Sequence, residues 1–200
     1  MIAFLTDRGI IDQKNNTEEK SMNIVILDGS PRLHGNTEIM CRAFAEEAEK
    51  QHHTVKTFHV ARMNIKGCQG CRYCYSHNGK CVYDDDMTQI YEGLKTADMV
   101  VFASPIYWFD ITSQLKTVID RMYAFGSTGF HFHFHKTALL LDSASDHVFD
   151  AAIAQYKATT SYLKWEDQGI ITIYGMEEKG SMAACPRLEE VRELARVSAI

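Results

Sequence analysis

The sequence predicts one α/β domain, a five-stranded parallel sheet lying between two layers of helices. Three observations predict it. From about residue 22 onward, short apolar runs alternate with helical patterns, as in a chain of successive strand–helix–strand units. Several of those runs, NIVILD at 23–28 and TALLLD at 137–142 among them, are nearly continuous in hydrophobic residues, the mark of strands covered on both faces. A chain of 200 residues with 46% hydrophobic content is also long enough to bury roughly 70% of its unfolded surface around a single core.

In chain order, residues 1–21 come first and end in DQKNNTEEKS, polar and without a sustained period; they read as a disordered leader. The apolar run Ile2–Leu5 is cut by Asp7 and Arg8, too early for a signal peptide or a membrane span. A cytoplasmic protein with reduced thiols is the expectation, with the folded domain over 22–200. The expected strands are 23–28, 55–60 (VKTFHV), 98–103 (DMVVFA), 137–142 and 170–174 (IITIY). Helical stretches fall between them near 37–51, 86–96, 112–124, 147–164 and 186–198. The acids Asp84–Asp86 stand at the positive end of the second of these helices, and Lys116 and Arg121 on the third read as solvated or subunit-contact positions. The net charge of −5 comes from interspersed acids and bases. That leaves no basic stripe for nucleic acid or anionic lipid, so the expected partners are small molecules or proteins.

In a parallel sheet of this kind, ligands sit beyond the carboxyl ends of the strands where the strand order reverses. For the order 2-1-3-4-5 that place lies between strands one and three, so the loops after Asp28, Ala103 and Asp142 are the informative ones. The first is GSPRLHGNT, residues 29–37. Its glycines permit tight turns, Ser30, Asn36 and Thr37 bring hydroxyl and amide groups, and Arg32 brings a fixed positive charge. A polar turn that opens into a helix N-terminus is an anion site. It matches neither the dinucleotide fingerprint nor the P-loop. The second loop, SPIYWFDIT at 104–112, exposes the aromatics Tyr107, Trp108 and Phe109, which in such a position cover a ligand or another subunit. The third, Ser143–His147, is small and polar and suits hydrogen bonding to a planar ring.

Taken together, GSPR-x-x-GNT, the cysteine segment running into Asp85–Met87, and SPIYW-x5-QLK-x3-DR resemble the NADPH-dependent FMN reductase superfamily, and within it the iron–sulfur flavoprotein group. The resemblance covers residues 22 to about 175 with the motifs in the family's order. It implies a flavodoxin-like three-layer sandwich, a five-stranded parallel sheet of order 2-1-3-4-5, carrying FMN. The phosphate is then held by Ser30, Arg32, Asn36 and Thr37. The isoalloxazine is edged by Pro105, Ile106, Tyr107, Trp108, Phe109 and Asp110 and by the loop near Ser143.

Four of the six cysteines fall in CQGCRYCYSHNGKC, as Cys68, Cys71, Cys74 and Cys81. Three-residue steps let a loop wrap one ligand group. Four thiolates hold either zinc or an iron–sulfur cluster, and successive C-x2-C steps with a remote fourth cysteine resemble [4Fe–4S] ligation. The resemblance points the same way, while cluster-free structural or redox-active thiols and zinc stay open. Cys41 and Cys185 read as small apolar residues. In FHFHFH at 130–135, an extended chain would put His131, His133 and His135 on one face; a lid or subunit-contact segment with packed phenylalanines and solvent-facing histidines is the reading preferred over a metal site.

The function implied is that of an FMN-binding oxidoreductase. It would pass electrons from a reduced donor, NAD(P)H or reduced ferredoxin, through FMN, with or without a [4Fe–4S] cluster, to a small-molecule or protein acceptor. No side chain is required as a nucleophile, because the flavin carries the chemistry. A cluster-free NAD(P)H-dependent FMN or quinone reductase is one alternative; an electron carrier or thiol redox sensor is another. The aromatics of the second loop and of 125–135 predict a homodimer or homotetramer.

Overall fold

The computed structural model describes residues 21–126 and 132–198. The expected leader, apart from Ser21, and His131 lie outside the described residues. The elements are β1 (Asn23–Asp28), α1 (Asn36–Lys50), β2 (Thr54–His59), α2 (Tyr73–Ser76), α3 (Met87–Thr96), β3 (Met99–Pro105), α4 (Ser113–Gly126), β4 (Lys136–Asp142), α5 (Asp150–Leu163), β5 (Glu166–Ile173) and α6 (Leu188–Val197). The strands form one parallel sheet in the order β2-β1-β3-β4-β5, so the switch point falls between β1 and β3 as expected.

Because successive strand residues point to opposite faces, each central strand feeds two cores. Ile24, Ile26, Met99, Val101, Ala138 and Leu140 pack with Met40 and Phe44 of α1 and Val191 and Leu194 of α6. Val25, Leu27, Val100, Phe102, Leu139 and Leu141 pack on the other face with Ile90 and Leu94 of α3, Leu115 and Val118 of α4 and Ala152 and Tyr156 of α5. Cys41 is buried in the first of these cores and Cys185 packs against it, as small apolar residues do.

Two boundaries differ from expectation for physical reasons. β5 starts at Glu166 rather than 170. It is an edge strand whose first residues stay solvated, so Glu166–Gly169 carries no hydrophobic signal. The strand also bulges against β4 at Thr137/Ala138. α5 starts at Asp150 rather than 147, since His147 takes a left-handed backbone with φ of 59° and Phe149 is committed to the core. Among the described residues, no helix is long and apolar enough to cross a membrane.

Candidate functional site

The turn after β1 is built from the inside outward. Asp28 is fully buried; its Oδ1 accepts the Ser30 N–H at 2.9 Å, and its Oδ2 lies 2.8 Å from Nδ1 of His59 at the end of β2. Burial pushes the Asp28 carboxyl up, against the pull of the Ser30 amide and His59. Ser30 Oγ in turn accepts the Arg32 N–H, so the loop is folded by its own polar groups. Gly29 must be glycine because of close approach. A Cβ there would stand 2.7 Å from Thr112 Oγ1 and 2.8 Å from Leu115 Cβ, and Thr112 Oγ1 already donates to Gly29 O at 2.8 Å.

The first N–H groups of α1 have no partners within the helix, and together with the helix dipole they make this end attractive to an anion. Thr37 donates its hydroxyl to Asp142 at the end of β4. Burial pushes that carboxyl up to about 6. Asn36 has a different part from the one expected. Its Nδ2 donates to Met176 O (3.0 Å) and Glu178 O (2.9 Å), and its Oδ1 accepts from the N–H groups of Gly180 and Met182. The amide therefore staples the segment after β5 to the helix start, and only the backbone of Asn36 remains to face a ligand.

The loop after β3 closes as a two-residue hairpin. Tyr107 and Asp110 exchange backbone hydrogen bonds, and Trp108 (φ 52°) and Phe109 (φ 69°) form its tip. Left-handed backbone at two bulky residues is uncommon and costs on the order of 1–3 kcal/mol each. The hairpin nonetheless holds Trp108 94% exposed and Phe109 56% exposed. Ile106 N–H donates to Asp142 O at 2.8 Å, tying the hairpin's base to β4.

A cavity of about 170 Å³ collects these pieces at the switch point. Ser30, Arg32, Asn36, Thr37, Pro105, Ile106, Tyr107 and Ser143 line it, joined by Asp142, Ala144, Met176 and Glu177. Trp108, Phe109 and Asp110 are not in the wall; they form the hairpin at its rim. The sequence offered no signal for Met176 and Glu177. They arrive because Gly175, with a φ of 77°, turns the chain after β5, and Met176 N–H bonds to Ser143 O at 2.9 Å.

The cysteine segment lies elsewhere. Cys68, Cys71, Cys74 and Cys81 line one cavity of about 390 Å³ together with Arg121, Tyr123 and Ala124 of α4. That cavity shares no residue with the switch-point cavity. Arg121 is eight residues beyond Ser113, about 12 Å down the helix at 1.5 Å per residue. Cys68 and Cys71 are exposed, and Cys74 and Cys81 half-buried. Left-handed backbone at Gly70 and Arg72 lets the short steps wrap around a common space. Beside it opens an apolar cavity of about 740 Å³ between α4 and α5, walled by Phe102, Ile119, Phe132, Tyr156 and Trp165 and reaching Cys68.

Arg121 corrects the expectation of a solvated or subunit-contact position. Its side chain is 1% exposed and that of its partner Asp85 2%. Nη1 donates to Asp85 Oδ2 at 2.8 Å and to Lys66 O at 2.7 Å, and Nη2 donates to Asp85 Oδ1 at 3.1 Å. Asp85 also accepts the N–H groups of Lys66 and Met87, and Asp86 accepts that of Asn64. Against the upward push of burial, Arg121 and these amides hold the Asp85 carboxyl below its usual value. The two acids clamp residues 64–66 against 85–87, forming the neck of the cysteine loop. Lys116, by contrast, is half-buried and pairs with Asp120. In the histidine segment, Phe134 is buried while His133 and His135 face solvent, and His133 pairs with Asp98 at 3.3 Å.

Metal chemistry can be tested on spacing. A tetrahedral zinc with Zn–S bonds of about 2.3 Å would hold its sulfurs ~3.8 Å apart. Among the described residues, the one set of three or more ligand atoms within 4.8 Å is Asp28, Glu38 and His59, and Arg62 already sits on Glu38. No three of the four thiols form such a set.

The profile of the family described as NADPH-dependent FMN reductase matches residues 22–182. An iron–sulfur flavoprotein of Archaeoglobus fulgidus is 31% identical over 152 residues, 76% of this chain and 75% of that protein. Another from the same organism is 38% identical over 105 residues, 52% of this chain and 47% of that protein. The chain spans about half the length of most of the curated relatives it matches. Among solved structures, an NAD(P)H:quinone oxidoreductase from Methanothermobacter marburgensis superposes with a TM-score of 0.68 at 20% identity, over 88% of this chain and 96% of that one. An FMN-dependent NADH-azoreductase from Bacillus anthracis, in complex with FMN, gives 0.65 at 16%, over 89% and 100%. These structures share the flavodoxin-like fold, and by the profile and the 31%-identical relative the chain belongs to the NADPH-dependent FMN reductase family, alongside its iron–sulfur flavoprotein members.

Proposed function

We propose that the chain is an FMN-dependent oxidoreductase of the iron–sulfur flavoprotein type. It takes electrons from a reduced donor, NAD(P)H or reduced ferredoxin, and delivers them to a small-molecule or protein acceptor. The observation that carries this reading is the cavity at the β1/β3 switch point, walled jointly by the β1 turn, the β3 hairpin and the loop after β4. FMN, the family's cofactor, supplies both one- and two-electron chemistry when bound. The chain's own residues bind and orient it. Ser30, Arg32 and the backbone N–H groups of Asn36 and Thr37 hold the phosphate at the positive end of α1. Pro105–Asp110 and Ser143 edge the ring, with Tyr107, Trp108 and Phe109 as an aromatic cover that keeps water away.

Cys68, Cys71, Cys74 and Cys81 hold a [4Fe–4S] cluster in this reading, supported by their shared cavity and by the relatives named iron–sulfur flavoproteins. A second reading, a cluster-free NAD(P)H-dependent FMN or quinone reductase, is favoured by the exposure of Cys68 and Cys71. The exposed hairpin aromatics support a homodimer or homotetramer; a cytoplasmic setting, where thiols stay reduced, and residues 22–200 as the folded domain behind a leader belong to the same reading. Anaerobic reconstitution followed by iron, sulfide and flavin analysis separates the two readings. The first predicts about four irons per chain and a clear loss in Cys71→Ser, because an oxygen ligand is harder than a thiolate. No iron in either protein, with NAD(P)H-dependent FMN reduction intact in both, would establish the second.

A further inference from the structure

We propose that Arg121 positions and tunes the iron–sulfur group: its Nε–H donates to a sulfur of the bound cluster, and the guanidinium stabilises the added electron. This rests on the reading that the four cysteines hold a cluster. Three observations converge on it. Arg121 lines the same cavity as all four cysteines. Its side chain is 1% exposed, so water does not satisfy it. Its Nη1 and Nη2 bond to Asp85 and Lys66, while Nε is buried with no hydrogen-bond partner. A buried donor without a partner is costly and rare in folded proteins. The cavity that Arg121 lines is ringed by thiols, and a cluster's sulfurs are acceptors.

The fork on Asp85 fixes the guanidinium plane, so Nε is held in place before the cluster arrives. Hydrogen bonds to cluster sulfurs are among the factors that set a cluster's potential. A donor and a positive charge favour the reduced, more negative state, so removing them lowers the potential. A residue that only stapled the loop neck would have no such effect on a fully loaded cluster.

The test uses the anaerobically reconstituted full chain carrying arginine labelled with ¹⁵N in the guanidino group. Pulsed EPR of the reduced cluster should show hyperfine coupling to an arginine nitrogen. The other arginine lining the cavity is Arg72, so the coupling should persist in Arg72→Lys and vanish in Arg121→Lys. In Arg121→Gln, read on the cluster-loaded fraction alone, the equilibrium for reducing the cluster should fall by roughly tenfold, about 59 mV for one electron. Should the Arg121 variants fail to fold, wild type and Arg72→Lys still decide: coupling retained in both assigns it to Arg121. A wild type with four irons and no coupling, a coupling abolished by Arg72→Lys, or an unchanged potential in Arg121→Gln overturns this inference alone. A wild type that takes up no iron overturns it together with the cluster reading.

Discussion

The turn after β1 and the long connection after β2 leave neighbouring strands, yet they finish their sites in different ways. In the first, Asp28, Ser30 and Thr37 are almost wholly buried, and side chains fold the loop before any ligand is present. In the second, the single turn of α2 is the only helix between β2 and α3, apart from a 3₁₀ turn at Val60–Arg62. Two of its four clustered thiols are exposed, and the connection is gripped mainly at its neck by Asp85, Asp86 and Arg121. The difference teaches where binding energy goes. A ligand entering the switch-point cavity meets donors already placed, whereas the cluster proposed for the cysteine cavity would meet a loop held mainly at its neck.

The largest effect expected is at the neck. Removing one partner of a buried ion pair leaves the other charge uncompensated, so Asp85→Ala should cost about 3–5 kcal/mol in urea unfolding. A loss below about 1 kcal/mol would reduce the neck to a surface contact and erase the contrast between grip and loop.

The buried carboxyl of Asp142 comes next. Its value in the fold is about 6 against an ordinary 3.8. A raised carboxyl contributes stability that is complete below about pH 4 and is lost as pH rises through about 6. The full span is worth about 3 kcal/mol at 1.36 kcal/mol per unit. Asp142→Asn keeps the neutral shape, so its stability relative to wild type should climb by up to that amount between about pH 4 and pH 8. A difference that stays flat with pH would mean Asp142 is not desolvated as the fold implies. Gly29→Ala should follow with about 1–3 kcal/mol, since the new methyl meets Thr112 and Leu115. A neutral result would show that the β1 turn yields easily and is not preformed. The smallest effect is expected at Cys71→Ser in the metal-free protein, within about 0.5 kcal/mol by thermal unfolding, because an exposed side chain loses little on substitution. A larger loss would mean the thiols already stabilise the loop without a ligand.

The sequence carried much of the sheet because β1, β3 and β4 are buried on both faces and therefore read as continuous apolar runs. It hid the start of β5, which is solvated at the sheet's edge. It also carried the polar turn after β1, where Asp28, Ser30 and Arg32 bond within the turn itself. Two roles were illegible for a common reason. Asn36 bonds to residues 176–182 and Arg121 to Lys66 and Asp85. A polar residue whose partner lies far along the chain looks the same in sequence as one that faces water. Only the fold distinguishes a staple from a solvated charge.

The account turns on the β1 turn gripping a phosphate, and comparative titration of FMN and riboflavin tests that most directly. Arg32 is exposed in the ligand-free chain and lines the cavity, free to close on an anion. Riboflavin, which lacks the phosphate, should bind wild type poorly. Arg32→Ala should weaken FMN about tenfold to a hundredfold, the worth of a charge-assisted contact of roughly 1.5–3 kcal/mol, while leaving riboflavin nearly unchanged. Equal affinity of wild type for FMN and riboflavin would contradict the account.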